Sequence, residues 1–236
     1  MNRTNKKPGI FSLGLALIFC ASTSIASDRD RTYEVKITNL MNNNQLTPIL
    51  AAVHSTRLQP IFENGERASR GLAIVAETGD TSELTSELST RRNSRRVGAV
   101  GTFTPESGPL TTAGTTLTFQ IEAFQLYRFM SIASMVLPTN DTFMALSEVA
   151  LPTRVGRTNT YTARAYDAGS EINDELCVNI PGPTCGGSGE FSGFNGEGAI
   201  RLSPGITGNR GRGDLDPNVY DFNARNVARV RVTRIN

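Results

Sequence analysis

Alternation of apolar and polar residues with a period of two dominates the chain. The segments YEVKITNL (33–40), TTLTFQIEA (115–123), YTARAY (161–166) and VRVTRI (230–235) each place apolar side chains on one face and polar side chains on the other. This pattern is typical of half-buried strands in an antiparallel sheet. We therefore predict four such strands, the last with arginines on its polar face.

Three continuous apolar runs are short enough to be fully buried strands, namely ILAAVH (49–54), GLAIVA (71–76) and SIASMVL (131–137). Helical periodicity is scarce. The segment DTSELTSELS (80–89) can cap at its first Asp, with a Glu three residues later, and predicts about two helical turns. Strands separated by Gly, Pro, Asn and Asp clusters favour an all-β, antiparallel β-sandwich with long loops and one or two short helices.

Two segments show neither the alternation typical of strands nor the periodicity typical of helices. Residues 93–114 are predicted to be a polar connection, and residues 177–219, which are rich in Gly and Pro, are predicted to form long loops at one end of the sandwich. No internal repeat and no interior linker divides the chain. We therefore predict a single domain over residues 27–236.

The N-terminus predicts a cleaved secretory signal peptide, residues 1–26. A basic stretch (3–7) precedes the apolar run IFSLGLALIFCA (10–21), and small residues lead to a cleavage point near Ala26. The run is shorter than the roughly 20 apolar residues that span a bilayer, although an uncleaved anchor remains the alternative. Bulky Phe19 argues against a lipidated Cys20. We expect a secreted or periplasmic protein.

Cleavage near Ala26 would leave 210 of the 236 residues and change the formal net charge from +2 to −1, because three basic and no acidic residues are removed. No second long apolar run follows, so we expect a soluble mature protein without membrane insertion. A near-neutral balance gives no reason to expect nucleic acid or an anionic membrane as a partner.

Two cysteines follow the predicted cleavage point, Cys177 and Cys185. In an oxidising compartment such a pair is most simply a disulfide, and the intervening VNIPGPT suits a tight turn. A metal or redox pair is the alternative, but the spacing is not CxxC and no His lies nearby.

Catalytic patterns are poorly represented. His54 is the single histidine, ends an apolar run and is interpreted as a structural residue, and no motif positions a serine for it. The tripeptide Arg212-Gly213-Asp214 matches the one that many integrins bind, but it is most simply part of an exposed loop.

The densest set of oxygen ligands is AYDAGSEINDE (165–175), where a predicted strand ends in an acidic turn. The glycine is misplaced for an EF-hand. Asp167 and Glu171 can still converge across the Ala-Gly-Ser turn, and two close carboxylates repel each other unless a cation or proton lies between them. The segment therefore suits a hard cation, with further ligands from another loop.

The chain resembles the spondin N-terminal domain family, the module of F-spondin and mindin, and especially its bacterial branch. The specific blocks are SMVLPTNDTF (134–143) followed by AYDAGSEIN (165–173). Further matches, in order over roughly residues 32–236, are YEVKITNL, AVHST with PIFENGERAS, GLAIVAETG and NVARVRVTRI.

The resemblance implies a C2-like antiparallel sandwich that binds calcium through acids of two loops. Asp141 matches the acid of the first block, and Asp167 and Glu171 match the acids of the second block. Glu171 stands where animal members more often have Asp, which keeps an oxygen ligand. Phe143 replaces a Trp of the animal members, so an adhesion surface built on that Trp is not expected to be conserved.

We therefore expect a non-enzymatic, calcium-binding β-sandwich module with a role in adhesion, interaction or the envelope. Its partner would be an unknown protein or glycan of the envelope or extracellular matrix. One alternative is a carbohydrate-active enzyme or accessory protein that uses Asp167, Glu171 or Glu77. A purely structural envelope protein is the other.

Overall fold

The computed structural model describes residues 30–55, 61–92 and 97–236. The strands are β1 (Asp30–Asn39), β2 (Gln45–Leu46), β3 (Ile49–His54), β4 (Val97–Phe103), β5 (Thr116–Phe124), β6 (Phe129–Leu137), β7 (Thr142–Ala150), β8 (Thr158–Asp167), β9 (Arg201–Leu202) and β10 (Ala228–Arg234). The helices are α1 (Arg70–Thr78), α2 (Ser82–Arg92) and α3 (Pro217–Tyr220), with a 3₁₀ turn at Gly208–Gly211. The predicted signal peptide lies outside the described residues.

Eight strands form one continuous antiparallel path in the order β4-β3-β6-β7-β8-β10-β1-β5. The short strands β2 and β9 pair with β6 and β8. The main core holds inward-facing side chains from both halves of the path, such as Ile132 and Met144 from one half and Val35 and Val230 from the other. The predicted all-β antiparallel fold is confirmed.

The period-two segments form strands whose burial follows their sequence. In β5, Leu117, Phe119 and Ile121 are buried in the core, while Thr118 and Gln120 between them are exposed. This alternation leaves the outer face of β8, β10, β1 and β5 open to solvent, as is common for an antiparallel sheet.

A helical layer covers the outer face of the other half of the sheet. Leu72 of α1 and Leu84 and Leu88 of α2 share a second buried cluster with Phe143 of β7. The helix predicted over residues 80–89 is confirmed as α2. The fold therefore has three layers, one helical and two of sheet.

The strand predicted over GLAIVA (71–76) is wrong, because this run lies inside α1. Ser69 caps the helix by accepting a hydrogen bond from the Leu72 N–H at 3.2 Å. Gly79 ends it in the left-handed conformation (φ 75°), with its N–H donating to the Val75 carbonyl. These two caps outweigh the β propensity of the short apolar run.

The connection predicted over residues 93–114 is also wrong in part, since it contains β4. This strand is rich in small residues and shows no apolar–polar alternation, so its sequence does not reveal it. It is placed by antiparallel pairing with β3. Strand β7 was likewise not predicted, because its first half is buried on both faces.

Among the described residues, no helix has both the length and the apolar composition that crossing a membrane requires. The three helices have nine, eleven and four residues.

The contact between α1 and α2 requires a glycine, and this can be tested with Gly71→Ala. A Cβ at position 71 would lie 2.7 Å from the backbone N and Cα of Leu84. Alanine favours helix by about 1 kcal/mol, but overpacking costs about 1–3 kcal/mol. We expect a lower free energy of unfolding in urea. The control is Ser86→Ala on the exposed face of α2, which should be neutral or slightly stabilising. Unchanged stability of Gly71→Ala would contradict the close approach.

Candidate functional site

The strand ends bring two of the predicted site residues together. Asp141 directly precedes β7, and Asp167 is the last residue of β8, where it pairs with Thr142. The chain then turns at Gly169 (φ 63°), where an added Cβ would lie 2.5 Å from the Ala199 carbonyl oxygen. The loop after β8 is therefore held between β7 and the segment that leads into β9.

Asp141 joins that loop to the sheet. Its side chain is fully buried, and Oδ2 accepts hydrogen bonds from the N–H groups of Ser170 (2.8 Å) and Glu171 (3.0 Å) and from the Ser170 hydroxyl (3.3 Å). Its second oxygen, Oδ1, is buried without a hydrogen-bond partner among the described residues. One half of the carboxylate thus orders the loop, and the other half is free to bind.

Asp167 has a different environment, because both of its oxygens are already used. Oδ1 accepts from the Gly169 N–H at 2.7 Å, and Oδ2 accepts from Asn173 Nδ2 at 2.8 Å. The Arg201 guanidinium also contacts Oδ2 at 3.2 Å and forms a second ion pair with Glu197 at 2.7 Å. Asp167 therefore has local positive charge that Asp141 lacks.

Helix α1 adds an acid that the sequence analysis did not include among the predicted cation ligands. Glu77 is buried, with Oε2 accepting a hydrogen bond from the Ser192 N–H and Oε1 without a partner among the described residues. Among the charged groups, Glu77 has the largest effect on the pKa of Glu171, which is itself buried. Interpreting GLAIVAET as a helix would have revealed Glu77, because it follows buried Ala73 by one turn.

Three acids of this cluster, Asp141, Asp167 and Glu171, have raised pKa values. Burial, reinforced by the charge of Asp167, raises the pKa of Asp141 to about 7. Burial, reinforced by the charge of Glu77, raises the pKa of Glu171 to about 8. Burial also raises the pKa of Asp167, although the Gly169 N–H and Arg201 oppose this. No positive charge balances Asp141 and Glu171 among the described residues. Either a bound proton or a bound cation would supply it.

The cluster does not form a preassembled metal cage. Among the residues that the structure describes, no three His, Cys, Asp or Glu side chains are placed as a metal-binding group. The donor chemistry nevertheless suits a hard cation, because the buried carboxylate oxygens Asp141 Oδ1 and Glu77 Oε1 have no hydrogen-bond partner among the described residues. Glu175 Oε2 is a third such oxygen.

A cavity of about 390 Å³ lies beside this cluster. Glu171 lies in its wall, and the other lining residues include Ile172, Asp174, Asn179, Glu190 and Phe191. Glu171 therefore lines the cavity, whereas Asp141, Asp167 and Glu77 do not.

His54 lies far from this cluster, at the end of β3 that pairs with Phe129 at the start of β6. Its Nε2 is 2.9 Å from Ser131 Oγ, and its Nδ1 is 3.1 Å from the Ser55 carbonyl. The sequence did not indicate Ser131 as its partner. Because His54 and Ser131 are both fully buried, and burial lowers the pKa of His54, the pair has the environment of a structural network.

The predicted disulfide is present, with Cys177 and Cys185 joined at an S–S distance of 2.10 Å. The Cys177 N–H donates to Asp214 Oδ2 at 2.8 Å. Asp214, the last residue of the integrin-like tripeptide, therefore helps to pack the disulfide loop against the loop before α3.

Comparison with known proteins agrees with the resemblance seen in the sequence. The model of the family described as Spondin_N matches residues 31–173, which is more than half of the chain and includes all three predicted cation ligands. A search of curated proteins found no match.

Loss of the disulfide should destabilise the loops beside the acid cluster. The two cysteines are eight residues apart, and opening so short a closed loop costs roughly 2–3 kcal/mol in the chain-entropy model. We expect the Cys177→Ser/Cys185→Ser double variant to lose about this much free energy of unfolding in urea. Treating the wild type with a reductant should have the same effect, and the double variant, which serves as the control, should not respond to it.

Proposed function

The chain belongs to the spondin N-terminal domain family, and from this premise we propose that it is a non-enzymatic, calcium-binding interaction module. Spondin domains are extracellular, and the family is not a known enzyme family. The disulfide is consistent with secretion. The bound calcium ion and the interaction with a partner are both part of the proposal.

The observation that carries the proposal is the unbalanced negative charge behind the loop after β8. Of the three buried carboxylate oxygens that have no hydrogen-bond partner among the described residues, one belongs to Asp141 and one to Glu77. Buried carboxylates are normally paired, hydrogen-bonded or bound to a metal. A divalent cation would supply the missing partner for both oxygens.

We infer that Asp141, Glu171 and Glu77 would hold the ion. The predicted ligand Asp167 would add negative charge beside it, and to bind directly it would have to give up its bond to Asn173 or Arg201. Calcium binds six to eight oxygens, so carbonyls and water would complete the shell. The bound ion would neutralise the repulsion between these carboxylates and fix α1, β7 and the loop after β8 to one another.

This arrangement supports a role in recognition at the loop end of the sandwich, where the cavity beside Glu171 opens. The partner would be a protein or glycan of the envelope or extracellular matrix, after secretion or in the periplasm. A carbohydrate-active enzyme is the second candidate, because a carboxyl group with a pKa of about 8 beside a cavity could act as a general acid. Hydrolysis of envelope glycans with a bell-shaped pH profile would favour the enzyme.

Calcium should stabilise the protein most at alkaline pH. In chelator, the folded state keeps protons on Asp141 and Glu171 up to pKa values of about 7 and 8, whereas the unfolded chain releases them near 3.8 and 4.5. The contribution of these groups to stability is therefore complete below about pH 4 and is lost as the pH rises towards 8. Calcium would remove this loss by replacing the protons.

The measurement is a thermal melt at pH 5 and pH 8, in chelator and in 10 mM calcium. Extracellular calcium modules bind at roughly 10⁻⁴–10⁻³ M. A calcium concentration ten times the dissociation constant then raises the free energy of unfolding by about 1.4 kcal/mol. This corresponds to an increase in melting temperature of about 3–6 °C for a domain of this size. We expect this increase at pH 8 and a smaller one at pH 5. An equal melting temperature with and without calcium at pH 8 would contradict the cation site.

Substitution Asp141→Asn separates the ligand role of this residue from its structural role. It keeps one oxygen to accept the N–H bonds of Ser170 and Glu171 but removes a buried charge. In chelator at pH 8 we expect the variant to melt above the wild type, since less repulsion remains. In calcium we expect little further increase.

The matched control is Glu106→Gln, which removes one negative charge at an exposed position. It should melt like the wild type and keep the full response to calcium. If Asp141→Asn also kept the full response, Asp141 would not be a ligand.

A further inference from the structure

The solvent-exposed face of β8, β10 and β1 carries a basic surface, separate from the acidic loop end. Pairing places Arg229 of β10 opposite Thr162 of β8 and Thr38 of β1. Two residues further along β10, Arg231 lies opposite Thr160 and Lys36. We call these positions, together with Arg164 of β8, the sheet face.

The three arginines of the sheet face have no acidic partner among the described residues. Arg164, Arg229 and Arg231 are exposed, and none of them forms an ion pair with any residue in the described part of the chain. Glu34, the acid on the adjoining part of β1, already pairs with Lys36 at 3.0 Å. Two further acids of this face lie apart from the arginines: Glu122 is on β5, two strands away from β10, and Asp30 is at the start of β1.

The position of Arg231 is unfavourable for the sheet itself. It lies directly across from Lys36 in the antiparallel pair β1–β10, and like charges at such positions destabilise a sheet. The ion pair of Lys36 with Glu34 offsets part of this repulsion. Threonine, the residue type that surrounds these positions, would suit an exposed strand position equally well. A local conflict without a structural benefit points to a functional use of the charge.

The geometry of the sheet face suits an extended polyanion. Alternate residues of a strand are about 6.8 Å apart and neighbouring strands are about 4.8 Å apart. Arg231, Arg229 and Arg164 therefore follow one another diagonally across β10 and β8 at regular steps. An arginine guanidinium forms strong, charge-assisted hydrogen bonds with carboxylate, sulfate or phosphate groups.

The uncharged side chains of this surface favour a carbohydrate over other polyanionic ligands. Threonine hydroxyls lie between and beside the arginines, at positions 38, 116, 118, 158, 160, 162 and 233. They can donate to and accept from sugar hydroxyls. No aromatic ring faces outward from these positions to stack on nucleic-acid bases, and no large aliphatic side chain is present to enter a lipid layer.

We propose that the sheet face binds a linear acidic polysaccharide, with Arg164, Arg229 and Arg231 contacting successive carboxylate or sulfate groups of the glycan. The binding is independent of the acidic loop end and of any cation held there.

The test is binding of the purified protein to immobilised heparin and alginate, with neutral dextran as a reference, at 50 mM NaCl in chelator. The wild type should bind both acidic glycans, fail to bind dextran and lose affinity as salt increases. Arg229→Thr/Arg231→Thr removes two exposed ion contacts and should weaken binding about ten-fold. The same variant should melt at or above the wild-type temperature, because it removes the charge opposite Lys36.

The matched control is Arg210→Asn/Arg212→Gln, which removes the same charge from an exposed loop. It should bind both acidic glycans within two-fold of the wild type. Absence of binding by the wild type, or an equal loss in both double variants, would overturn the proposal. Binding to single-stranded DNA or to phosphatidylglycerol vesicles as tight as to heparin would also overturn it, since it would assign the face to another class of polyanion.

Discussion

The loop end of the sandwich depends on one buried carboxylate. Asp141 Oδ2 accepts the N–H groups of two successive residues, Ser170 and Glu171, and so holds the loop after β8 against the start of β7. The position of the Glu171 carboxyl group, and with it the wall of the adjacent cavity, follows from these bonds. Burial of the same carboxylate raises its pKa, so the contact that orders the loop also concentrates unbalanced charge there. Structure and proposed function therefore originate from a single interaction.

The fold separates charges that the composition averages. The acids collect where β7 begins and β8 ends, whereas the arginines of β10 project from the opposite half of the sheet, because alternate residues of a strand face the same side. A net charge of +2 over the whole chain describes neither surface. The near-neutral balance gives no reason to expect nucleic acid or an anionic membrane as a partner, but it does not reveal an arginine row, since local fields depend on the placement of charges and not on their sum.

The sequence predicted the strands whose side chains alternate, and it failed where alternation is absent. Strands β1, β5, β8 and β10 each have one solvent-exposed face, so apolar and polar residues alternate in their sequences. Helix α1 is short and mostly buried, and its apolar run looks like a core strand unless Ser69 and Gly79 are recognised as its caps. Strand β4 consists largely of small residues and depends on pairing with β3, which is a property of the tertiary structure.

The candidate site shows the same division. The motifs identified Asp141, Asp167 and Glu171, and the structure places the three together at one end of the sheet. What distinguishes them is their surroundings: Asp167 meets Arg201, whereas Glu171 meets Glu77. Glu77 precedes Glu171 by 94 residues, so only packing of α1 against the sheet brings them together. A sequence motif can supply ligands of the right chemistry, but whether their charge is balanced depends on neighbours that the motif does not contain.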